Sequence, residues 1–571
     1  MSTFPISSSA SFSSSPLPTP DDNRSRKQDV IRKTVNFHPS IWGDQFLTYH
    51  EKRDLVIKKQ HVGELKEMRK KLKITDYSEP MQHMKVLELI DAVQRLSIAY
   101  HFEEEIEETL QYMYATYGDK WIHNNNLQTT SLWFRILRQQ GFNVSSGIFK
   151  NHMDECGHFK KFLSKDVQGM LALYEATYMS VEGEKVLDDA LEFTKLHLGN
   201  IAKDPSYDAS LRIQIKESLK RPLRRRLPRL EALRYIHIYQ QKASRDDTLV
   251  KLAKLDYNML QSMHQRELSQ ICKWWKNLDM SNKLPYVRDR LVEMYFWILG
   301  VYFEPQHAHT RIFLVKTSMW LIVMDDTYDN YGTYEELEIL TKAIERWSLS
   351  CLDVLPEYMK LIYEELINIF HGMEETLENE GNTNHIYYVK DLMKDYTRNL
   401  LVEAKWLKEG YMPTLEEHMS VSLVTCAYAL MIATSYIGRG DVTQDYFKWV
   451  STYPPIVKAS CLILRIMDDI AAHKEEQDRN HVVSSVECYR NKFGVSGEDA
   501  CESLSQKVEN AWKVINRESL RPTQIPLPLL TPAINLARVC DVLYKVNDSY
   551  NHAGEEVIYY IKSLLVHTFV I

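Results

Sequence analysis

Apolar side chains recur at helical spacing almost everywhere along this chain, and that regularity restricts it to folds built from packed helices. Leu89, Val93, Leu96 and Tyr100 stand at i, i+4, i+7 and i+11, which predicts one face of a single helix, and similar stripes run through residues 361–370 and 558–566. Sustained valine-rich alternation bounded by Asn-Gly or Asp-Gly turns is missing, so strands are expected to be nearly absent. No repeat of roughly 20–50 residues emerges, which argues against a solenoid. Punctuation agrees with this reading: 571 residues hold only 19 Gly and 19 Pro, about half the usual ~7% and ~5%. A chain of this length exceeds the ~100–200 residues of one domain, so at least two domains and more than one core are expected.

Several function classes fall away on charge and cysteine usage. The net charge of −7 gives no general attraction to nucleic acid or anionic lipid. Eight cysteines are scattered without a CxxC pair, which reads as free thiols in a reducing compartment, neither a disulfide framework nor a zinc ribbon. The first twenty residues carry eight Ser, four Pro and no charge, so residues 1–30 are expected to be disordered. An organelle transit peptide would be Arg-rich, and the first arginine is Arg24, so a cytoplasmic location is expected.

Residues 419–438 run without a charge for the length of a bilayer span, yet Ser420, Ser422, Thr425, Thr434 and Ser435 interrupt them. No Lys/Arg cluster or Trp belt flanks them, so the expectation is a buried helix whose hydroxyls line a cavity and no membrane span. The basic, Pro-punctuated stretch RPLRRRLPRL begins the clearest seam, residues 221–250. It is expected to be a solvated connection at a domain joint, and without stacking aromatics it makes no nucleic-acid footprint. The resulting division is an N-terminal helical domain at 31–245 and a C-terminal domain at 246–571.

The chemistry concentrates in the second part. Directly after the apolar residues 312–324 comes Asp325-Asp326-Thr327-Tyr328-Asp329, and Asp325 and Asp329 at i, i+4 project from one helix face, where two carboxylates can share hard divalent cations. A plain exposed acidic helix end is the alternative. A second acidic helix follows, with Arg465, Asp468, Asp469 and, two turns beyond Asp468, Glu476. Two helices tipped with carboxylates make a cleft that, filled with Mg²⁺, suits a diphosphate. Arg288 and Arg290 lie upstream of the first acids and Arg465 one turn before Asp468, where forked guanidinium donors can hold phosphate oxygens.

These elements, together with Arg32-Lys33 ahead of Trp42 and ordinary stretches such as AKLDYN at 253–258, YFEPQ at 302–306 and EGYMPT at 409–414, resemble the plant terpene synthases, specifically the sesquiterpene cyclases. The likeness runs from about Arg32 to the C-terminus. It implies an all-α fold of two helical domains, a C-terminal class I bundle and an N-terminal helical barrel without an active site of its own; no DxDD motif occurs in the N-terminal half. By this resemblance Asp325 and Asp329 bind Mg²⁺ with Asp326 supporting them, and Asp468 and Glu476 hold a further Mg²⁺. Three Mg²⁺ ions are expected, with Mn²⁺ as a substitute. Arg288, Arg290, Arg465 and Arg479 would clamp the diphosphate. Trp297, Tyr544 and Tyr550 would line an aromatic pocket with Thr425 in its wall, and residues 547–554, including Asp548, look like the family's lid loop.

Two departures stand out. Ala472 occupies the place where the family's second metal helix usually carries Ser or Thr, and a water can take the missing ligand's position. Lys33 follows Arg32 where Arg or Pro is common, and Asn480 follows Arg479 where Gly is usual. The function implied is a monomeric sesquiterpene synthase, a lyase that ionises farnesyl diphosphate and releases diphosphate and a sesquiterpene. The alternatives are a monoterpene synthase acting on geranyl diphosphate and a non-catalytic helical scaffold.

Overall fold

Helices in this chain begin where a short polar side chain can close their first turn. Asp246 accepts from the N–H groups of Thr248 and Leu249 to start the 32-residue helix Asp247–Leu278, and Thr333 and Thr414 each form a reciprocal capping box with a glutamate three residues on. The computed structural model describes residues 32, 37–49, 54–72, 80–118, 126–379, 381, 385–475 and 483–571. Among them extended pairing is limited to one isolated bridge, Met153 with Phe159, as the periodicity requires.

One apolar core runs from Trp42 to Leu565 through both parts of the chain, and a smaller satellite around Met170, Tyr174, Leu198 and Ile215 fills the space between the helices Val167–Thr177, Lys185–Lys203 and Ala209–Lys220. The expected separate cores are therefore fused. Long helix Asp247–Leu278 is the spine of the junction. It packs on Asp54–Leu72, Pro228–Gln240 and Glu555–Leu565, and its fully buried Asp256 accepts hydrogen bonds from Tyr100 (2.5 Å) and His101 (2.8 Å), with His61 at 3.3 Å.

Two sequence expectations fail near this junction. The stripe from Leu89 to Tyr100 does not lie on one helix: the helix Pro80–Arg95 ends, Ser97 takes a left-handed φ of 57°, and Tyr100 falls in the single turn Ala99–His101. The break delivers Tyr100 and His101 to Asp256, so the helix is given up for polar contacts across the junction. The RPLRRR segment is likewise not solvated. Arg221, Arg224, Arg225 and Arg226 are all buried, because polar partners receive them: Arg225 pairs with distant Glu509 and Arg221 with distant Asp541, Arg226 pairs with nearby Glu231 at 2.6 Å, and Arg224 donates to Asn516 at 2.9 Å.

Helices Leu291–Val301, Ala308–Asn330, Ile386–Glu409, Leu415–Thr425, Tyr428–Thr434 and Pro455–Glu475, with Tyr544 just after helix Leu527–Leu543, line the cavity described next. The charge-free stretch 419–438 is broken in its middle: helix Leu415–Thr425 stops, Ala427 adopts φ 61°, and a new helix runs Tyr428–Thr434. No helix among the described residues is long and apolar enough to cross a membrane.

Candidate active site

The Ala308–Asn330 helix is buried along most of its length and brings its last turn to the mouth of a cavity of about 370 Å³. Asp325 and Asp329 line that cavity, as their i, i+4 spacing predicts. Asp326 does not; it is fully buried behind them, where Arg288 donates to it from its backbone N–H and its Nε, both at 2.9 Å. The same guanidinium reaches Asp325 at 2.7 Å, so Arg288 ties the helix end to the turn ahead of Leu291–Val301.

Across the cavity, helix Pro455–Glu475 presents Arg465, Asp468, Asp469 and Ala472. Arg465 pairs with Asp468 and lies 3.1 Å from Asp469, whose other oxygen caps Ser485 N–H at 2.7 Å. Glu476 and Arg479 lie outside the described residues, as do Lys33 and Asn480. Arg290 is not among the cavity residues. Its Nε donates to Asn551 O at 3.0 Å and its Nη1 to His38 O at 2.9 Å, so it braces the loop after Leu527–Leu543 and the N-terminal segment.

The far wall is aromatic. Trp297 meets the rings of Tyr550, Tyr544 and Tyr428 edge-on at 5.5, 5.9 and 6.4 Å, and all four residues line the cavity. Asp548, in the loop between the last two helices, accepts from the N–H groups of Tyr550 (3.1 Å) and Asn551 (3.0 Å), a turn that points Tyr550 inward. Thr425, in the wall, donates to Glu403 at 3.0 Å.

Glu403 is a cavity residue that the sequence reading missed. It interrupts the buried face formed by Tyr396, Leu400 and Ala404 on Ile386–Glu409, and an acid within such a stripe is the signal that marks it. Phe37, also missed, lines the cavity and lies 5.2 Å from the Arg288 guanidinium. Nothing local in the sequence marks Phe37, because its position depends on the N-terminal segment folding back over the C-terminal helices.

Charge is out of balance here. Among the described residues, six carboxylates (Asp325, Asp329, Glu403, Asp468, Asp469 and Asp548) face the cavity against two arginines, Arg288 and Arg465. Burial raises the Asp329 carboxyl well above the usual range, and the nearby Asp325 and Glu403 charges raise it further; its Oδ1 is buried without a hydrogen-bond partner among the described residues. Burial likewise lifts Glu403 to about 8 and Asp468 to about 7, with neighbouring acids adding to both. Carboxylates raised by burial and by one another, one with an orphaned oxygen, suit a hard divalent cation, so the described residues fit such ions.

Comparison with known proteins agrees with this geometry. Residues 41–219 match the family model "Terpene synthase, N-terminal domain", and residues 276–514 match "Terpene synthase family, metal binding domain". The chain is 64% identical to an (E)-beta-farnesene synthase of Artemisia annua over the whole of both chains. It is 49% identical to a sesquiterpene synthase of Xanthium strumarium, covering 95% of this chain and 98% of that one. Among solved structures, isoprene synthase from grey poplar leaves (Populus x canescens), in complex with three Mg²⁺ ions and dimethylallyl-S-thiolodiphosphate, superposes with a TM-score of 0.82. That match is 32% identical and covers 90% of this chain and 98% of the other.

Proposed function

The chain belongs to the terpene synthase family, a family of divalent-metal-dependent lyases with the class I all-α fold, and from that premise we propose that it is a sesquiterpene synthase acting on farnesyl diphosphate. The observation that carries this reading is the two-ended cavity: acids and arginines at its mouth suit a diphosphate, and the Trp297, Tyr428, Tyr544 and Tyr550 wall suits a hydrocarbon cation. The fifteen-carbon substrate rests on the relatives, which are named for sesquiterpene products.

In this reading Asp325, Asp329, Asp468 and Glu476 would hold the cations, three Mg²⁺ with Mn²⁺ as a substitute; when bound, these supply the positive charge that lets diphosphate leave. Arg288 and Arg465 each offer forked donors to the departing oxygens, and both already sit at the cavity mouth paired with acids. Arg290, by anchoring Asn551, keeps the loop of Asp548 and Tyr550 over the site, and Arg479 is assigned to the diphosphate by the family likeness alone. The aromatic faces stabilise the cation that remains and keep water from it.

The division of labour we propose is catalysis by residues 246–571, with 31–245 lacking a site of its own, in a monomeric cytoplasmic protein. The test is to incubate the purified full chain with geranyl, farnesyl and geranylgeranyl diphosphates, with Mg²⁺ or with chelator, and to identify the volatiles. Farnesyl diphosphate is expected to give a sesquiterpene only when Mg²⁺ is present. Preferential turnover of geranyl diphosphate would replace the proposal with the ten-carbon one.

A further inference from the structure

Two arginines at the joint between the two parts of the chain lack an acid to pair with. Arg224 lies in the turn Leu223–Arg225 and is 6% exposed, and Arg538 lies half-buried on helix Leu527–Leu543. Arg538 Nε donates to Arg224 O at 2.8 Å, which holds the two residues together where the turn packs on that helix. The neighbours of Arg224 behave differently: Arg221, Arg225 and Arg226 each reach a carboxylate. Among the described residues the guanidiniums of Arg224 and Arg538 bond only neutral groups.

A carboxamide orients each of them. Asn516 gives its amide hydrogens to Tyr178 O (2.8 Å) and Ser180 O (2.9 Å), which leaves its oxygen to accept from Arg224 Nε at 2.9 Å. Asn535 donates to Val301 O at 2.8 Å and accepts from Arg538 Nη1 at 2.9 Å. Both asparagines are buried, so both forks are fixed by groups that bring no negative charge. Nitrogens are left over: Arg224 Nη2 is buried with no hydrogen-bond partner among the described residues. An arginine does not shed its proton to escape burial. Burial disfavours the charged form of both guanidiniums, and the Arg538 charge adds to this at Arg224. Two like charges are thus held in a poorly solvated joint, an arrangement that costs stability unless an anion neutralises it.

From this geometry we infer that Arg224 and Arg538 form a binding site for a phosphate-type oxyanion, separate from the catalytic cavity. Neither arginine lines that cavity. Guanidinium forks match the spaced oxygens of such an ion, which a spherical halide does not offer. Arg538, being only half-buried, opens the site to solvent. The bound ion would tie the turn Leu223–Arg225 to helix Leu527–Leu543 and, through Asn516, to helix Gly497–Glu518. Its effect is on the stability of the joint, and no step of the chemistry above passes through it.

The experiment uses the full chain in EDTA without substrate, so that no metal-held diphosphate takes part. Inorganic phosphate is titrated by calorimetry and, in parallel, added to a thermal unfolding assay against sodium chloride at equal ionic strength. One phosphate per chain is expected, with a melting temperature at least ~1 °C above the chloride control. Arg224→Gln and Arg538→Gln should each weaken binding at least about tenfold and remove that increment, and Arg538→Lys, which keeps the charge, should weaken it less. Circular dichroism checks that the variants fold, and if buried Arg224→Gln does not, the half-buried Arg538→Gln carries the test. Diphosphate titrated in the same way separates the sources. Tighter binding than phosphate, lost in Arg538→Gln, assigns the site to released product, and equal or weaker binding assigns it to free phosphate; both support an oxyanion site. The inference is overturned if the parent binds no phosphate, if chloride competes on equal terms, or if Arg538→Gln binds as the parent does. Because metal and substrate are left out, none of these results bears on the farnesyl diphosphate reading.

Discussion

Replacing Glu231 with Gln tests whether the buried arginine cluster carries its share of the stability. Glu231 sits in the first turn of Pro228–Gln240, buried, with Arg95 donating to one oxygen (2.9 and 2.7 Å) and Arg226 (2.6 Å) and Arg234 (3.2 Å) to the other. Burial alone would raise its carboxyl, but Arg226, Arg95 and Arg234 overcome it and hold the group at about 2 against an ordinary 4.5. At about 1.4 kcal/mol per tenfold in the ionisation constant, that depression amounts to roughly 3 kcal/mol of stability. Removing one partner of a buried ion pair gives a similar figure, about 3–5 kcal/mol. Since the folded-state value lies below the unfolded one, the contribution is complete above the ordinary value and is lost as pH falls from there towards 2. The difference between parent and Glu231→Gln in urea unfolding, followed by far-UV circular dichroism, should therefore be about 3 kcal/mol near pH 7 and about half that near pH 3. A gap under about 1 kcal/mol near neutrality, or one that stays constant down to that acid limit, would refute the electrostatic account.

Asp325→Ala should lower turnover by at least ~100-fold at saturating Mg²⁺ with thermal unfolding nearly unchanged, because Arg288 keeps Asp326; activity and melting assays check both halves. Ala472 lines the cavity on the helix that carries Asp468. Ala472→Ser, which adds an oxygen there, should lower the Mg²⁺ concentration for half-maximal rate. An unchanged Mg²⁺ curve with unchanged products would mean that position 472 takes no part in the metal site. Gly300→Ala should cost about 1–3 kcal/mol in thermal unfolding, since its new Cβ would come within 2.6 Å of Val539 and 3.1 Å of Leu227, where three segments close on one another.

What could be read from the sequence follows the range of the interactions involved. Helix type is set within a turn or two, so the periodic stripes in Glu357–Asn379 and Glu555–Leu565 were legible. Helix ends that serve distant partners were not. Nothing near Ser97 announces its left-handed turn, because the gain lies at Asp256, some 150 residues on, where Tyr100 and His101 donate. The same holds for the arginines at 221–226. A run of positive charge reads as solvated unless its acids are known, and here Glu509 and Asp541 come from more than 280 residues away. A basic cluster in a chain with excess acid therefore has two physical readings, exposed or paired, and only the fold selects between them.

The site shows the same division. Asp325 and Asp329 were legible because their spacing alone puts them on one face, and Trp297, Tyr544, Asp548 and Tyr550 were reached through family likeness and do meet at one cavity. Arg290 was grouped with Arg288 by its place upstream of the acids and by family likeness, yet the irregular backbone ahead of Leu291–Val301 turns the two side chains apart. Arg288 turns to the acids, and Arg290 turns to the carbonyls of His38 and Asn551. The second arginine thereby couples the N-terminal segment to the loop that carries Tyr550, and Phe37 beneath Arg288 carries that coupling into the cavity. The N-terminal segment thus contributes Phe37 to the cavity wall, although nothing beside it in the sequence marks that role.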